Sequence, residues 1–284
     1  MKLSKIFALL LALCLISSAA CAATFTDAHG NVIELDDSLE AYAAVTLVGA
    51  DNAARQGETN LGDLWADALR WFAVSGEINA AFDEDDVKAG NDRIAVDADH
   101  VVALWNGGNL RADIAEGTFG AEALAEVLPF PNKVAVVYMT GAQLLETLEA
   151  ASQGLPYTAE TADACASLMQ VSGLTYTVDT TKAYDALEAY GDHWFTAGSV
   201  SRVRIDDVNG QPFDAEATYA VVTSNANFNG MDSSYVLKAA AEANEQSAVT
   251  TAVVRDVVFR FIAAELNHQV GEAYAAPQGR LTIL

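Results

Sequence analysis

Short apolar runs of strand length are mixed irregularly with stretches whose apolar residues fall at helical spacing, and that mixture limits the folds open to the chain. Val101–Trp105, Val134–Met139, Leu174–Val178, Val200–Ile205 and Tyr219–Thr223 each read as strands. Leu61, Leu64, Trp65, Ala68, Leu69 and Phe72 form one helical stripe, with Asn60 as its N-cap. Leu144, Leu145 and Leu148 form a second over Gly141–Ala151, and Ala121–Leu128 makes a short helix stopped by Pro129. Val253, Val254, Val257, Phe261, Ile262 and Leu266 stripe a long C-terminal helix, and Asn209-Gly210 is a turn between two of the strands. Strands and helices do not alternate strictly, so the expected class is α+β, a mixed β-sheet with packed helices.

The first residues read as a targeting segment. Met1-Lys2-Leu3-Ser4-Lys5 is a short basic start, Ile6 to Ile16 is an apolar run too short to span a bilayer, and Ala20 and Ala22 make an A-x-A cleavage site. Residues 1–22 are therefore expected to be a signal peptide, and the mature chain to be extracytoplasmic: secreted, periplasmic or at the cell surface. Cys21 is the competing candidate, for lipid anchoring; Ser18 stands where a lipoprotein signal favours Leu, so cleavage is the preferred reading. No later stretch is long and apolar enough for a membrane span. Cys14 leaves with the leader, which leaves Cys165 without a disulfide partner in the mature chain. Stability must then come from the core, and a hydrophobic content of 52% can supply it. Thr24–Leu35 reads as a small hairpin turning at Asp27–Asn31, and residues 83–93 as an acidic surface loop.

Charge excludes some partners. The 39 Asp and Glu against 15 Lys and Arg give a net charge of −24, which argues against polymeric nucleic acid and anionic membranes. An anionic small molecule would have to be held by a few local cations.

Five separated segments resemble, in order, the C-terminal, substrate-recognising domain of the 5′-nucleotidase family. Arg55-Gln56-Gly57-Glu58-Thr59-Asn60-Leu61-Gly62-Asp63-Leu64 is similar to its R-x-x-E-x-N-x-G-x-L opening, and Asn106-Gly107-Gly108-Asn109-Leu110-Arg111 to its N-G-G-x-[IL]-R turn. Leu128-Pro129-Phe130-Pro131-Asn132 resembles its P-F-G-N segment, followed by a strand and the Met139–Leu144 helix start. Gln170–Leu174 and Pro277–Leu281 complete the series. The resemblance runs from about Arg55 to the last residue. It divides the chain into the leader, an N-terminal hairpin and lead-in over 23–52, and a nucleotidase C-terminal-like domain over 53–284.

The resemblance implies a binding site for a small-molecule nucleoside or nucleotide made by Arg55, Asn106, Gly107, Gly108, Arg111, Phe130, Asn132, Gly173 and Asp232. The two guanidiniums suit phosphate or ribose oxygens, Phe130 suits stacking on a base, and Asn106 and Asn132 offer paired donors and acceptors. Two departures stand out. The family's second stacking aromatic aligns with Ala226, and Phe228 replaces it only if the loop shifts by two residues; Met231 replaces a glycine beside Asp232.

In the family a separate metallophosphatase domain performs hydrolysis. Asp27-Ala28-His29-Gly30 is similar to that domain's D-x-H-G opening, and also to the first hairpin of some periplasmic binding proteins, but no later G-N-H-[DE] or G-H-x-H accompanies it. Asp27 and His29 are read as turn residues, and Gly191-Asp192-His193 as a loop. No catalytic residue, metal site or cofactor is expected. Three functions follow: a recognition domain non-catalytic alone, a substrate-binding subunit acting in trans with a separate metallophosphatase, or a structural protein with a vestigial pocket.

Overall fold

The computed structural model describes residues 23–26, 32–35, 40–82 and 94–284. Its centre is a five-stranded sheet in the order Ala248–Val253, Lys133–Thr140, Thr218–Ser224, Val101–Asn106, Met169–Ser172. Thr218–Ser224 runs antiparallel to Lys133–Thr140 and parallel to Val101–Asn106, so the sheet is mixed and the class is α+β. Side chains of successive strand residues point to opposite faces. Val101, Ala103, Trp105, Val134, Val136, Tyr138, Ala220 and Val222 enter one core, and Val102, Leu104, Val137, Met139, Tyr219 and Val221 enter the other. Burial of both faces explains why these strands read as near-continuous apolar runs.

The first core is covered by Asn60–Val74 and Val254–Ala264. All six residues of the predicted stripe, from Leu61 to Phe72, are fully buried, and the rings of Trp65 and Trp105 meet at 6.2 Å. The second core is covered by Gly141–Ala151, by Tyr235–Ala243 and by a smaller sheet ordered Val203–Val208, Leu174–Val178, Leu281–Ile283. Thr140 and Gln143 start the Gly141–Ala151 helix with a reciprocal capping box.

Several expectations are corrected. The cap of the first long helix is Thr59, whose hydroxyl accepts the Gly62 N–H at 3.0 Å. Asn60 instead ties three segments together, donating to the carbonyls of Thr46 and Tyr274 and accepting from the Val48 N–H. The last helix ends at Ala264, and Leu266 packs on the core from outside it. The predicted strand at Val200–Ile205 is Val203–Val208. Asn209 and Gly210 do turn, both at positive φ, but the strands on either side do not pair. Val203–Val208 pairs with Leu174–Val178 and buries one face in the second core, whereas Thr218–Ser224 is buried on both and belongs to the central sheet.

Ala23–Thr26 and Val32–Leu35 form the predicted hairpin. Its turn, with Asp27 and His29, and the loop at 83–93 lie outside the described residues. Glu40–Ala43 pairs with Gly117–Gly120 and with Gln269–Val270, and Ala41, Ala43 and Leu47 are in the first core. Glu40–Ala43 is the middle strand of this small sheet, so residues ahead of 53 already pack into the first core.

The C-terminal strand is held by an acidic cluster made of Glu58, just ahead of the first long helix, and Asp63 and Asp67 on it. The Glu58 carboxylate accepts the backbone N–H groups of Gln278, Arg280 and Leu281 at 2.9–3.0 Å. The Arg280 guanidinium donates to Asp67 at 2.8 Å and stands 3.7 Å from buried Asp63. Burial pushes the Asp63 carboxyl up to about 8; Arg280 opposes the shift but directs its hydrogen bond at Asp67, and the neighbouring Glu58 charge adds to it.

Two outcomes follow from this cluster. Glu58→Ala strips the Arg280 and Leu281 N–H groups of their acceptor and leaves the Gln278 N–H with Asp63 alone, and should lower the unfolding free energy by about 2–5 kcal/mol. An unchanged urea midpoint would contradict the role given to Glu58. The folded state holds the Asp63 proton more tightly than the unfolded chain. Its contribution is complete below the ordinary carboxyl value of 3.8, declines as pH rises, and is gone above about 8. Relative to Asp63→Asn, the wild-type protein should lose stability between about pH 5 and about pH 8; parallel pH profiles of the two would refute the shift.

Candidate functional site

Val101–Asn106 and Thr218–Ser224 are parallel neighbours, so their carboxyl ends open on the same side of the sheet, the position where open α/β sheets commonly place ligands. A cleft of about 370 Å³ lies there. The residues following the first strand, Asn106, Gly108, Asn109 and Arg111, line one part of it, and those following the second, Asn225, Ala226, Met231 and Asp232, line another. Phe130, Pro131 and Asn132 complete it, because Lys133–Thr140 runs antiparallel to Thr218–Ser224 and so begins at this end. Ala166 closes the floor.

The Asn106-Gly107-Gly108 turn brings these segments together. A side-chain carbon at Gly107 would stand 2.0 Å from the Ala54 carbonyl oxygen, and one at Gly108 would stand 2.7 Å from the Ala166 methyl. Gly107 is thus a packing glycine behind the cleft, whereas Gly108 lines it. Asn109 donates to the Asn106 amide oxygen at 2.7 Å, and the Asn106 amide nitrogen donates to Asp232 at 2.8 Å. This relay orients the carboxylate of Asp232, which sits at a φ of 56° in the left-handed region. Burial raises the Asp232 pKa, against the charges of Arg55 and Arg111 and the hydrogen bond from Asn106.

Arg111 is exposed, and its guanidinium lies over the Phe130 ring, 5.9 Å from the centroid. Phe130 is 45% exposed, unusual for so large an apolar side chain beside two full cores. Asn132 is buried and lines the cleft, and its carbonyl accepts the Val254 N–H at 2.9 Å. Arg55 is buried behind the cleft, donating to the Ala162 carbonyl at 2.8 Å and standing 3.7 Å from Asp163. It acts on the cleft through its charge, which is felt at both Asp232 and Arg111.

Gly173 is not brought to this cleft. Met169 pairs with Asn106 and Ser172 with Ala103, so the turn at Gly173 falls at the opposite end of the sheet, against Arg70 and Asn209. Its φ of +80° suits a tight turn between two strands, which accounts for the glycine without a ligand. Phe228 does not replace the missing aromatic: it packs on the second core, while Ala226 and the 55%-exposed Met231 face the cleft.

Asn109, Pro131, Ala166 and Asn225 line the cleft without having been singled out from the sequence. Asn109 and Pro131 were signalled by their places inside two motifs. Ala166 and Asn225 carry no chemical signal, and only the fold brings them in. Among the described residues no three His, Cys, Asp or Glu side chains gather as metal ligands. His100 pairs with Asp97, His268 with the Glu40 carbonyl, and His193 lies 3.9 Å from Asp163.

The sequence profile of the 5′-nucleotidase C-terminal domain matches residues 40–239. A trifunctional nucleotide phosphoesterase, YfkN of Bacillus subtilis, is 28% identical over 188 residues, covering 65% of this chain and 10% of its own length. A 5′-nucleotidase precursor from Thermus thermophilus superposes with a TM-score of 0.62 at 28% identity, over 86% of this chain and 39% of its own. The NAD nucleotidase of Haemophilus influenzae shares the fold with a TM-score of 0.57 at 15% identity, over 86% of this chain and 38% of its own. The chain therefore spans well under half the length of these relatives, and it belongs to the family of the 5′-nucleotidase C-terminal domain.

Proposed function

We infer that this chain is an exported recognition module for a nucleoside or nucleotide, non-catalytic alone. The observation that carries the reading is the cleft at the carboxyl ends of two parallel strands, which pairs a half-exposed aromatic face, Phe130, with a guanidinium and an oriented carboxylate, Arg111 and Asp232. A base has an apolar face for the phenyl ring, and a ribose has hydroxyl donors for Asp232. Arg111 offers a planar fork to ribose or phosphate oxygens. Arg55 adds positive charge behind the cleft, which favours an anion there in an otherwise acidic molecule. The basic start, apolar run and A-x-A site support export.

A second reading rests on the relatives' names, a 5′-nucleotidase precursor and a nucleotide phosphoesterase. In that reading it supplies recognition in trans to a separate metallophosphatase, which performs the hydrolysis.

Calorimetric titration of the chain without residues 1–22 against adenosine and AMP, in the presence of a chelator, should show saturable metal-independent binding. Phe130→Ala should weaken both ligands roughly 5- to 150-fold, the loss of about 1–3 kcal/mol of stacking. Arg111→Ala should weaken AMP more than adenosine if the guanidinium holds phosphate, and both equally if it holds ribose. Folded protein that binds neither ligand, or unchanged affinity in both variants, would remove the assignment.

A further inference from the structure

Ala186–Tyr190 and Trp194–Ala197 form a hairpin whose strands pair with each other and with no other described strand. Isolated two-stranded hairpins are marginal in water, and Leu187 here is 68% exposed. Neither Tyr190 nor Trp194 belongs to the two cores. The hairpin is held at Gln153, which exchanges hydrogen bonds with Phe195, and at Tyr235, whose hydroxyl accepts the Ala197 N–H; two further ties reach segments that run into the walls of the cleft.

On one side the Tyr190 hydroxyl donates to the Gly230 carbonyl at 2.7 Å, and its ring packs on Tyr235 with centroids 5.6 Å apart. The fit at Gly230 is tight: a side-chain carbon there would stand 2.4 Å from that hydroxyl, and the backbone has a φ of +87°. Gly230 leads directly into Met231 and Asp232. On the other side the Trp194 indole N–H donates to the Ala164 carbonyl at 3.1 Å, two residues before Ala166. The two walls meet on the inner side at Asn106, whose amide donates to Asp232 at 2.8 Å and to the Ala166 carbonyl at 3.4 Å.

We propose that the hairpin is a clamp that sets the spacing of the cleft's two walls, with Tyr190 and Trp194 as positioning residues. Tyr190 holds Asp232 in place through Gly230, and Trp194 holds Ala166 through Ala164; neither touches the ligand. The clamp has work to do because Asp232 occupies left-handed backbone space, which a non-glycine residue keeps only when its surroundings hold it there. Asn106 secures the side chain of Asp232 from within, and Tyr190 secures its backbone approach from outside. The bearing on ligand affinity rests on the recognition reading above; the mechanical part does not.

The test uses Tyr190→Phe and Trp194→Phe, each of which deletes one donor and keeps a ring. Amide hydrogen exchange of the unliganded chain should accelerate about five-fold, the loss of one hydrogen bond, over 226–234 in the first variant and over 162–168 in the second. Exchange in the two cores should stay unchanged. Adenosine affinity should fall several-fold in each variant, and Tyr190→Phe should have no further effect in an Asp232→Asn background. Unchanged exchange at both walls overturns the clamp, and so does acceleration spread through the cores, which would make the two residues merely structural. Loosened walls with undiminished affinity overturn the positioning role. A wild-type chain that binds neither adenosine nor AMP, while the walls respond as stated, overturns the recognition reading and leaves the clamp standing.

Discussion

Burial of both faces of the central sheet holds this molecule together and decides where it can bind anything. Val101–Asn106, Lys133–Thr140 and Thr218–Ser224 spend their side chains on two cores, so none of the three offers a face to a ligand. Only the ends remain. The parallel pair opens its carboxyl ends on one side, and the glycine turn after Asn106, the loop after Ser224 and the Phe130–Asn132 lead-in converge there. The cleft is thus a consequence of strand direction. Its polar groups are those that the strand ends can carry without breaking either core.

Much of what the family motifs contain is scaffolding rather than recognition. Glu58 and Arg280 lie far apart in sequence but belong to one lock that fastens the last strand. Asn60 ties the lead-in to the C-terminal segment. Gln170 holds the backbone ahead of the first long helix, accepting from Thr59 and donating to the carbonyls of Ala54 and Gly57. Gly107 and Gly62 permit close packing, since side-chain carbons there would strike Ala54 and Gln170. Arg111, Phe130, Asn132 and Asp232 are different: they line the cleft, and Phe130 remains exposed in a protein able to bury it.

What the sequence made legible follows from how strongly each residue's local chemistry specifies its place. The Thr140-x-x-Gln143 spacing carries its own cap, so that helix start was readable. The apolar runs of the central sheet were readable because burial on both faces leaves no polar interruption. Glu40–Ala43 is three-quarters short or aromatic side chains with no period, and only its partners make it a strand. The hairpin at 186–197 is exposed along its first strand as far as half-buried Tyr190 and has no apolar alternation to reveal it. Gly173 was misplaced because a glycine motif does not say which end of a sheet it turns at. Asn60 looked like a cap because its type suits one, while its neighbour Thr59 had the geometry.

In the proposed function this cleft recognises a nucleoside through Phe130 on one side and Asp232 on the other, with Ala226 and Met231 leaving the second face of the base without an aromatic. A crystal structure of the chain grown with adenosine tests it most directly. The account predicts the base lying against Phe130, with Arg111 displaced from the ring face or shared with the ribose, and a ribose hydroxyl donating to Asp232. Adenosine bound elsewhere, or an empty cleft with Arg111 still over Phe130 at saturating ligand, would contradict it.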